Sequence, residues 1–160
     1  PGDIHRWNIE NVFKGVDTRA EAKKRSFAWL YNPESQDTAL DRYYDREGVV
    51  QEYWDGEKVN TEFGRQIPAD QFHALNYIVQ STCADMVLEQ ACKVSSLLTG
   101  KRSRIAFIVH DSIVLDFADE DRQELIQLVN EFSSTRLGKF MVNISAGKNF
   151  GKLRELRVNG

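Results

Sequence analysis

The strongest constraint in the sequence is a long helical pattern that begins at Pro68. Apolar residues fall at Phe72, Leu75, Val79, Met86, Val94 and Leu97, close to a 3.6-residue period. Gly100 is a natural stop for it. A helix of that length needs other elements to cover its apolar stripe, so the rest of the chain is read as its packing partners.

Those partners are short. Asp17 or Thr18 is a suitable N-cap for a helix running through Tyr31, which Asn32-Pro33 ends because proline cannot continue the backbone ladder. Residues 1–16 are mixed in character, and a short polar helix fits Asp37–Asp45. From Gly48 to Ile67 the pattern is strand-like, with Val49, Val50 and Tyr53, a turn at Asp55-Gly56, and Val59 to Ile67. Ile105–Val109 and Ile113–Phe117 read as strands, with His110-Asp111-Ser112 between them. Asp119 opens a helix whose Leu125, Leu128, Val129 and Phe132 share a face. Phe140, Met141, Val142 and Ile144 form a last strand. The class is α+β, with helices packed on a small antiparallel sheet.

With 160 residues, 41% hydrophobic and 28% charged, disorder, collagen and coiled coil are excluded as the main architecture. The longest apolar run, Ile105–Val109, is far short of the roughly 20 residues of a membrane span. Cys83 and Cys92 lie on one helix about 13 Å apart along its axis, too far to bridge. No secretory signal opens the chain, so a reducing, cytoplasmic setting is expected. The net charge of −3 argues against a freestanding nucleic-acid binder. Basic clusters at Arg19–Arg25, Lys101–Arg104 and Lys148–Arg157 reopen that question.

Three constellations carry chemistry. Arg19, Lys23, Phe27 and Tyr31 recur every four residues, a step that drifts only about 40° around a helix, so two cations and two aromatics share one stripe. The stripe suits a ligand with a polyanionic end and a flat apolar end, such as a nucleoside triphosphate. A boundary face with snorkelling cations has the same pattern. His110-Asp111-Ser112 lifts a carboxylate out of a hairpin onto a rigid platform, although turns favour aspartate for their own reasons. Asn76 and Gln80, one turn apart, can donate and accept at base edges, or can simply form the polar shoulder of an amphipathic helix.

In order and spacing these pieces resemble the C-terminal part of a family A DNA polymerase. The matching blocks are Asp3-Ile4-His5-Arg6 with Val12-Phe13; Arg19-x3-Lys23-x3-Phe27-x3-Tyr31; Val59–Arg65, ending in Gly-Arg; Leu75–Thr82 with Ala84-Asp85; Val109-His110-Asp111; and Gly147-Lys148-Asn149-Phe150. The resemblance implies fingers helices plus part of a palm, with residues 1–68 the fingers segment and 69–160 the palm segment.

It also implies roles. Arg19 and Lys23 bind the triphosphate, Lys23 protonates pyrophosphate, and His5 lies near the same phosphates. Phe27 packs on the sugar, and its missing hydroxyl implies discrimination against dideoxynucleotides. Tyr31 closes the pocket. Arg65, Asn76 and Gln80 touch the duplex, His110 lies by the primer terminus, and Asp111 holds two Mg2+ ions shared with a carboxylate from another segment.

The chain departs from the pattern in several places. The family's other metal-binding aspartate and the thumb are absent, which implies a fragment or one subunit of a split polymerase, acting with primer-template DNA, a deoxynucleoside triphosphate and a complementing chain. A half-site of that kind needs no strongly basic charge, because the partner supplies phosphate neutralisation. Ser112 stands where relatives carry Glu, Asn32 where they carry Gly, and Phe72 where an arginine is common. The departures point to a divergent, phage-like member in a bacterial or infected-host cytoplasm. The alternatives are a non-catalytic DNA- or nucleotide-binding module and a structural replisome piece.

Overall fold

A computed structural model describes residues 3–15 and 18–156; Asp17 and Arg157, both named above, lie outside that range. The chain divides into two compact units, Pro1–Met86 and Val87–Gly160. The boundary falls within the long helix Gln71–Leu97.

The first unit holds helices α1 (Ile4–Asn11), α2 (Arg19–Tyr31), α3 (Thr38–Tyr43) and α4 (Arg46–Tyr53), the strands β1 (Lys58–Asn60) and β2 (Gln66–Pro68), and the first part of α5 (Gln71–Leu97). Each helix start has a local cause. Asp3 accepts from the His5 N–H and caps α1. Thr18 and Glu21 satisfy each other's backbone N–H groups in a capping box on α2. Asp37 caps α3 through the N–H groups of Ala39 and Leu40. Arg46 covers the far end of α2, donating to the carbonyls of Trp29 and Asn32 while its guanidinium lies 5.0 Å from the Trp29 ring centroid.

Two apolar clusters hold this unit. Val12, Phe13, Ala22, Trp29 and Leu40 pack α1, α2 and α3 together. A polar set runs through them: Tyr44 donates to Asn8 Oδ1 at 2.6 Å, Asn8 donates to Ser26, and Trp29 Nε1 donates to Asp41 at 2.7 Å. Val59, Ala74 and Ile78 form the second cluster, with Val50, Tyr53 and Trp54 packed on it.

The second unit contains the end of α5, β3 (Arg104–Val109), β4 (Ser112–Asp116), a 3₁₀ turn over Asp119–Glu124, α6 (Leu125–Ser133), β5 (Ser134–Thr135), β6 (Gly138–Lys139), β7 (Ile144–Ala146) and β8 (Arg154–Leu156). Its core is Val94, Leu98 and Leu128, flanked by Ile105, Ile113, Leu115 and Phe132. Gln90 is buried and donates to the Ser134 carbonyl at 2.7 Å.

Several expectations are corrected. Residues 4–11 form a helix rather than a mixed segment, because Asp3 supplies the cap. Gly48–Tyr53 is helical in α4, not a strand: Asp45 accepts from Gly48 N–H at 2.8 Å, and Val50 and Tyr53 meet the core three residues apart, so capping and packing override β-propensity. Pro68 ends β2, and α5 begins at Gln71, where Asp70 accepts the His73 N–H at 2.9 Å. Phe72 is exposed, while the expected Leu75 and Val94 are buried together with Ala74, Ile78, Val87 and Ala91.

Residues 140–143 lie outside any strand, and β7 starts only at Ile144. Phe140 donates its N–H to Ser133 instead of to a ladder partner. Among the described residues the strands form four two-stranded antiparallel pairs rather than one small sheet. The α+β class itself stands.

Candidate functional site

In the first unit one run of contacts joins most of the residues singled out in the sequence. Arg19 Nε donates to the Asp3 carboxylate. Lys23 Nζ lies 5.4 Å from the Phe27 ring centroid. Phe27 meets His5 edge-on at 5.7 Å and Tyr31 at 5.9 Å. The Tyr31 hydroxyl lies 3.5 Å from Gln80 Nε2 on α5.

The stripe is solvent-facing: Arg19 and Lys23 are exposed, and Phe27 and Tyr31 keep 42% and 38% of their surface. Ala22 and Trp29, on another face of α2, take the core positions. A helix that buries alanine and tryptophan while leaving two cations and two aromatic rings in line offers a polyanion and a flat ring contiguous partners. His5 Nδ1 is buried with no hydrogen-bond partner among the described residues.

Tyr31 and Asn76 line one open cleft of about 600 Å³ with Arg46, Trp54, Phe72 and Leu75. Arg65 sits at the end of the β1–β2 hairpin, whose turn closes through Thr61 N–H to the Arg65 carbonyl at 2.9 Å. Gly64 there has φ +78°, a conformation that L side chains adopt rarely. The Arg65 guanidinium grips Asp85 with two hydrogen bonds, which hold its pKa above the ordinary arginine value. The spacing of Asp85 from Arg65 in the sequence gives no signal that the two meet.

In the second unit His110 and Asp111 form the two-residue turn between β3 and β4, with Val109 opposite Ser112. His110 adopts φ +51°. Ser112 Oγ donates to the Val109 carbonyl at 2.9 Å and closes the turn. Asp111 is exposed. Phe150, from the closing Gly-x-Asn-aromatic block, meets Phe107 of β3 edge-on at 5.4 Å. The first residue of that block is constrained as well: a Cβ on Gly147 would lie 2.3 Å from the Lys152 carbonyl oxygen.

Among the described residues no group of three or more His, Cys, Asp or Glu side chains is placed to hold a metal ion. The hairpin turn supplies one exposed carboxylate. One carboxylate alone is too little for a hard dication such as Mg2+, which takes one or two carboxylates together with substrate phosphates and water. Among the described residues no helix is long and apolar enough to cross a membrane.

The fold of most of the chain is similar to part of one solved structure. The chain is similar to the solved POL domain of Pol1 from M. smegmatis, in complex with DNA primer-template and dNTP, with a TM-score of 0.62 and 22% identity. The likeness covers 81% of this chain and 30% of that one, so the chain spans less than a third of its neighbour's length. No family model matches the sequence, and no curated protein does.

Proposed function

We propose that this chain is the fingers-and-palm portion of a DNA-directed DNA polymerase related to family A, adding deoxynucleotides to a primer 3′ end. The observation that carries the reading is the stripe of Arg19, Lys23, Phe27 and Tyr31 on α2, with Lys23 over Phe27, Phe27 against Tyr31 and His5, and Tyr31 reaching Gln80. It orders cations, sugar-sized aromatics and an amide as a nucleoside triphosphate at a base pair requires. The likeness to a polymerase domain supports the same reading at the level of fold.

In this reading Arg19 and Lys23 neutralise phosphate charge that redistributes in the transition state, and Lys23 donates a proton to the departing pyrophosphate. His5 lies beside the phosphates. Phe27 packs on the sugar and Tyr31 closes the pocket. Asn76, Gln80 and Arg65 contact the duplex in the minor groove, where base acceptors are nearly independent of sequence. His110 lies by the primer terminus and Asp111 holds Mg2+. An Mg2+ ion held by Asp111 would supply a lowered pKa at the primer hydroxyl and charge neutralisation at the leaving group.

The remaining aspartate and the thumb come from another segment or a complementing chain, and a divergent, phage-type split polymerase fits that need. Leaving Phe107 and Ile108 of β3 exposed is consistent with a strand that has further partners. Ser112 favours a second reading, a non-catalytic nucleotide-binding module, because its hydroxyl is spent closing the hairpin turn.

Primer extension separates the two. The chain, mixed with the polypeptide encoded immediately upstream, primer-template, deoxynucleotides and Mg2+, should extend the primer, and Asp111→Ala should abolish extension. Extension that survives Asp111→Ala removes the metal role. Nucleotide binding without extension favours the non-catalytic module.

A further inference from the structure

We propose that Asp3 is a built-in placeholder for the nucleotide's phosphates, holding the Arg19 guanidinium until the triphosphate displaces it. The inference rests on the reading of Arg19 as a triphosphate ligand and adds to it a residue that competes for the same cation.

Asp3 has two tasks in the structure. One oxygen, Oδ1, accepts the His5 N–H at 3.0 Å and caps α1. The other, Oδ2, accepts from Arg19 Nε, sixteen residues away at the start of α2. The cap fixes the carboxylate, so its grip on Arg19 is a fixed property of the α1 start rather than a chance surface encounter. Hydrogen bonding from Arg19 also holds the Asp3 carboxyl below its ordinary pKa, so it is ionised throughout the neutral range.

Two residues on from Asp3, His5 of α1 faces the same stripe. Its ring lies edge-on to Phe27, and its buried Nδ1 has no partner among the described residues. The start of α1 therefore presents a single anion to Arg19 and an unsatisfied ring nitrogen beside Phe27, where the reading puts phosphate and sugar.

Two effects of Asp3 oppose each other. It pre-orders a long side chain, which favours binding, and it occupies and neutralises the cation, which disfavours it. The Arg19 side chain is 53% exposed and that of Asp3 26%. An exposed pair of this kind is weak and exchanges readily, so a triphosphate carrying several charges displaces one carboxylate. After displacement the Asp3 charge remains nearby and repels the phosphates. Competition and repulsion together exceed the benefit of ordering, so removing the charge should tighten phosphate binding.

Asp3→Asn is the informative variant, because asparagine caps helices as well as aspartate does and α1 should keep its start. Inorganic tripolyphosphate and a deoxynucleoside triphosphate are titrated calorimetrically into the wild-type chain, Asp3→Asn, Arg19→Ala and the double variant, with circular dichroism confirming the fold of each. Asp3→Asn should tighten tripolyphosphate about two- to fivefold, the span of an exposed ion pair expressed as affinity. The gain should vanish in the Arg19→Ala background, since the two residues act through one contact. It should also shrink at high salt.

If Arg19→Ala weakens binding but Asp3→Asn leaves it unchanged or weaker, the placeholder is overturned while the triphosphate reading of Arg19 stands. A gain from Asp3→Asn that persists without Arg19 also overturns it. If tripolyphosphate and nucleotide binding are both indifferent to Arg19→Ala, the phosphate reading falls and the placeholder falls with it.

Discussion

Tyr31, the last residue of α2, places its hydroxyl 3.5 Å from Gln80 Nε2 on α5. The contact joins the cation–aromatic stripe to the amide shoulder of the long helix. At that length it is at the outer limit of a hydrogen bond, so it guides geometry more than it stabilises the fold. Tyr31→Phe and Gln80→Leu should each cost less than about 0.5 kcal/mol in urea unfolding. Tyr31→Ala, which removes the ring, should weaken deoxynucleotide binding several-fold in calorimetry, whereas Tyr31→Phe should leave it nearly unchanged.

The turn that presents Asp111 depends on the backbone of its neighbour. His110 has φ +51°, which asparagine and glycine tolerate and β-branched residues do not. His110→Asn should stay within about 0.5 kcal/mol of the parent in chemical denaturation, while His110→Val should lose about 1–2 kcal/mol. A harmless His110→Val would mean that the turn does not hold this conformation in solution.

Gly147 tests whether the closing block is built as described. Its missing side chain makes room for the main chain at Lys152, with an added Cβ only 2.3 Å from that carbonyl oxygen. Gly147→Ala should destabilise by about 1–3 kcal/mol, the usual cost of overpacking. Hydrogen exchange should locate the loosening at β7 and β8.

The acid limit of stability should involve Asp121. This buried carboxylate is held below its ordinary pKa by Ser103, first through the side chain and then through the main-chain N–H, which donates at 2.7 Å. Ser103 Oγ in turn accepts from Ala118 N–H at 2.9 Å. A pKa lower in the folded state than the unfolded value of about 3.9 adds stability that is complete above that value. It is lost as pH falls from there through the folded pKa. Asp121→Asn should therefore lower the thermal midpoint at pH 7 and flatten its decline below pH 4. An unchanged slope below pH 4 would remove Asp121 from the acid response.

Much of the secondary structure was legible in the chain. α2 and α5, the short polar α3 and the β3–β4 hairpin follow from periodicity, caps and breakers, all short-range signals. The order Arg19, Lys23, Phe27, Tyr31 fixed which residues share a stripe, because helix geometry alone decides that. Local propensity misread Gly48–Tyr53: two adjacent valines read as strand, and only the Asp45 cap together with packing on Val59 and Ala74 makes them helical. The same limit applies to residues 140–143, whose apolar run finds no ladder partner.

What tertiary structure alone decided is the pairing of side chains distant in sequence. Asp3 on Arg19, Asp85 on Arg65, Gln80 on Tyr31 and Phe150 on Phe107 are set by how elements are packed, and no spacing rule encodes them. A sequence specifies the face of a helix through its own period, but a partner is chosen only when burial of apolar surface fixes which faces meet.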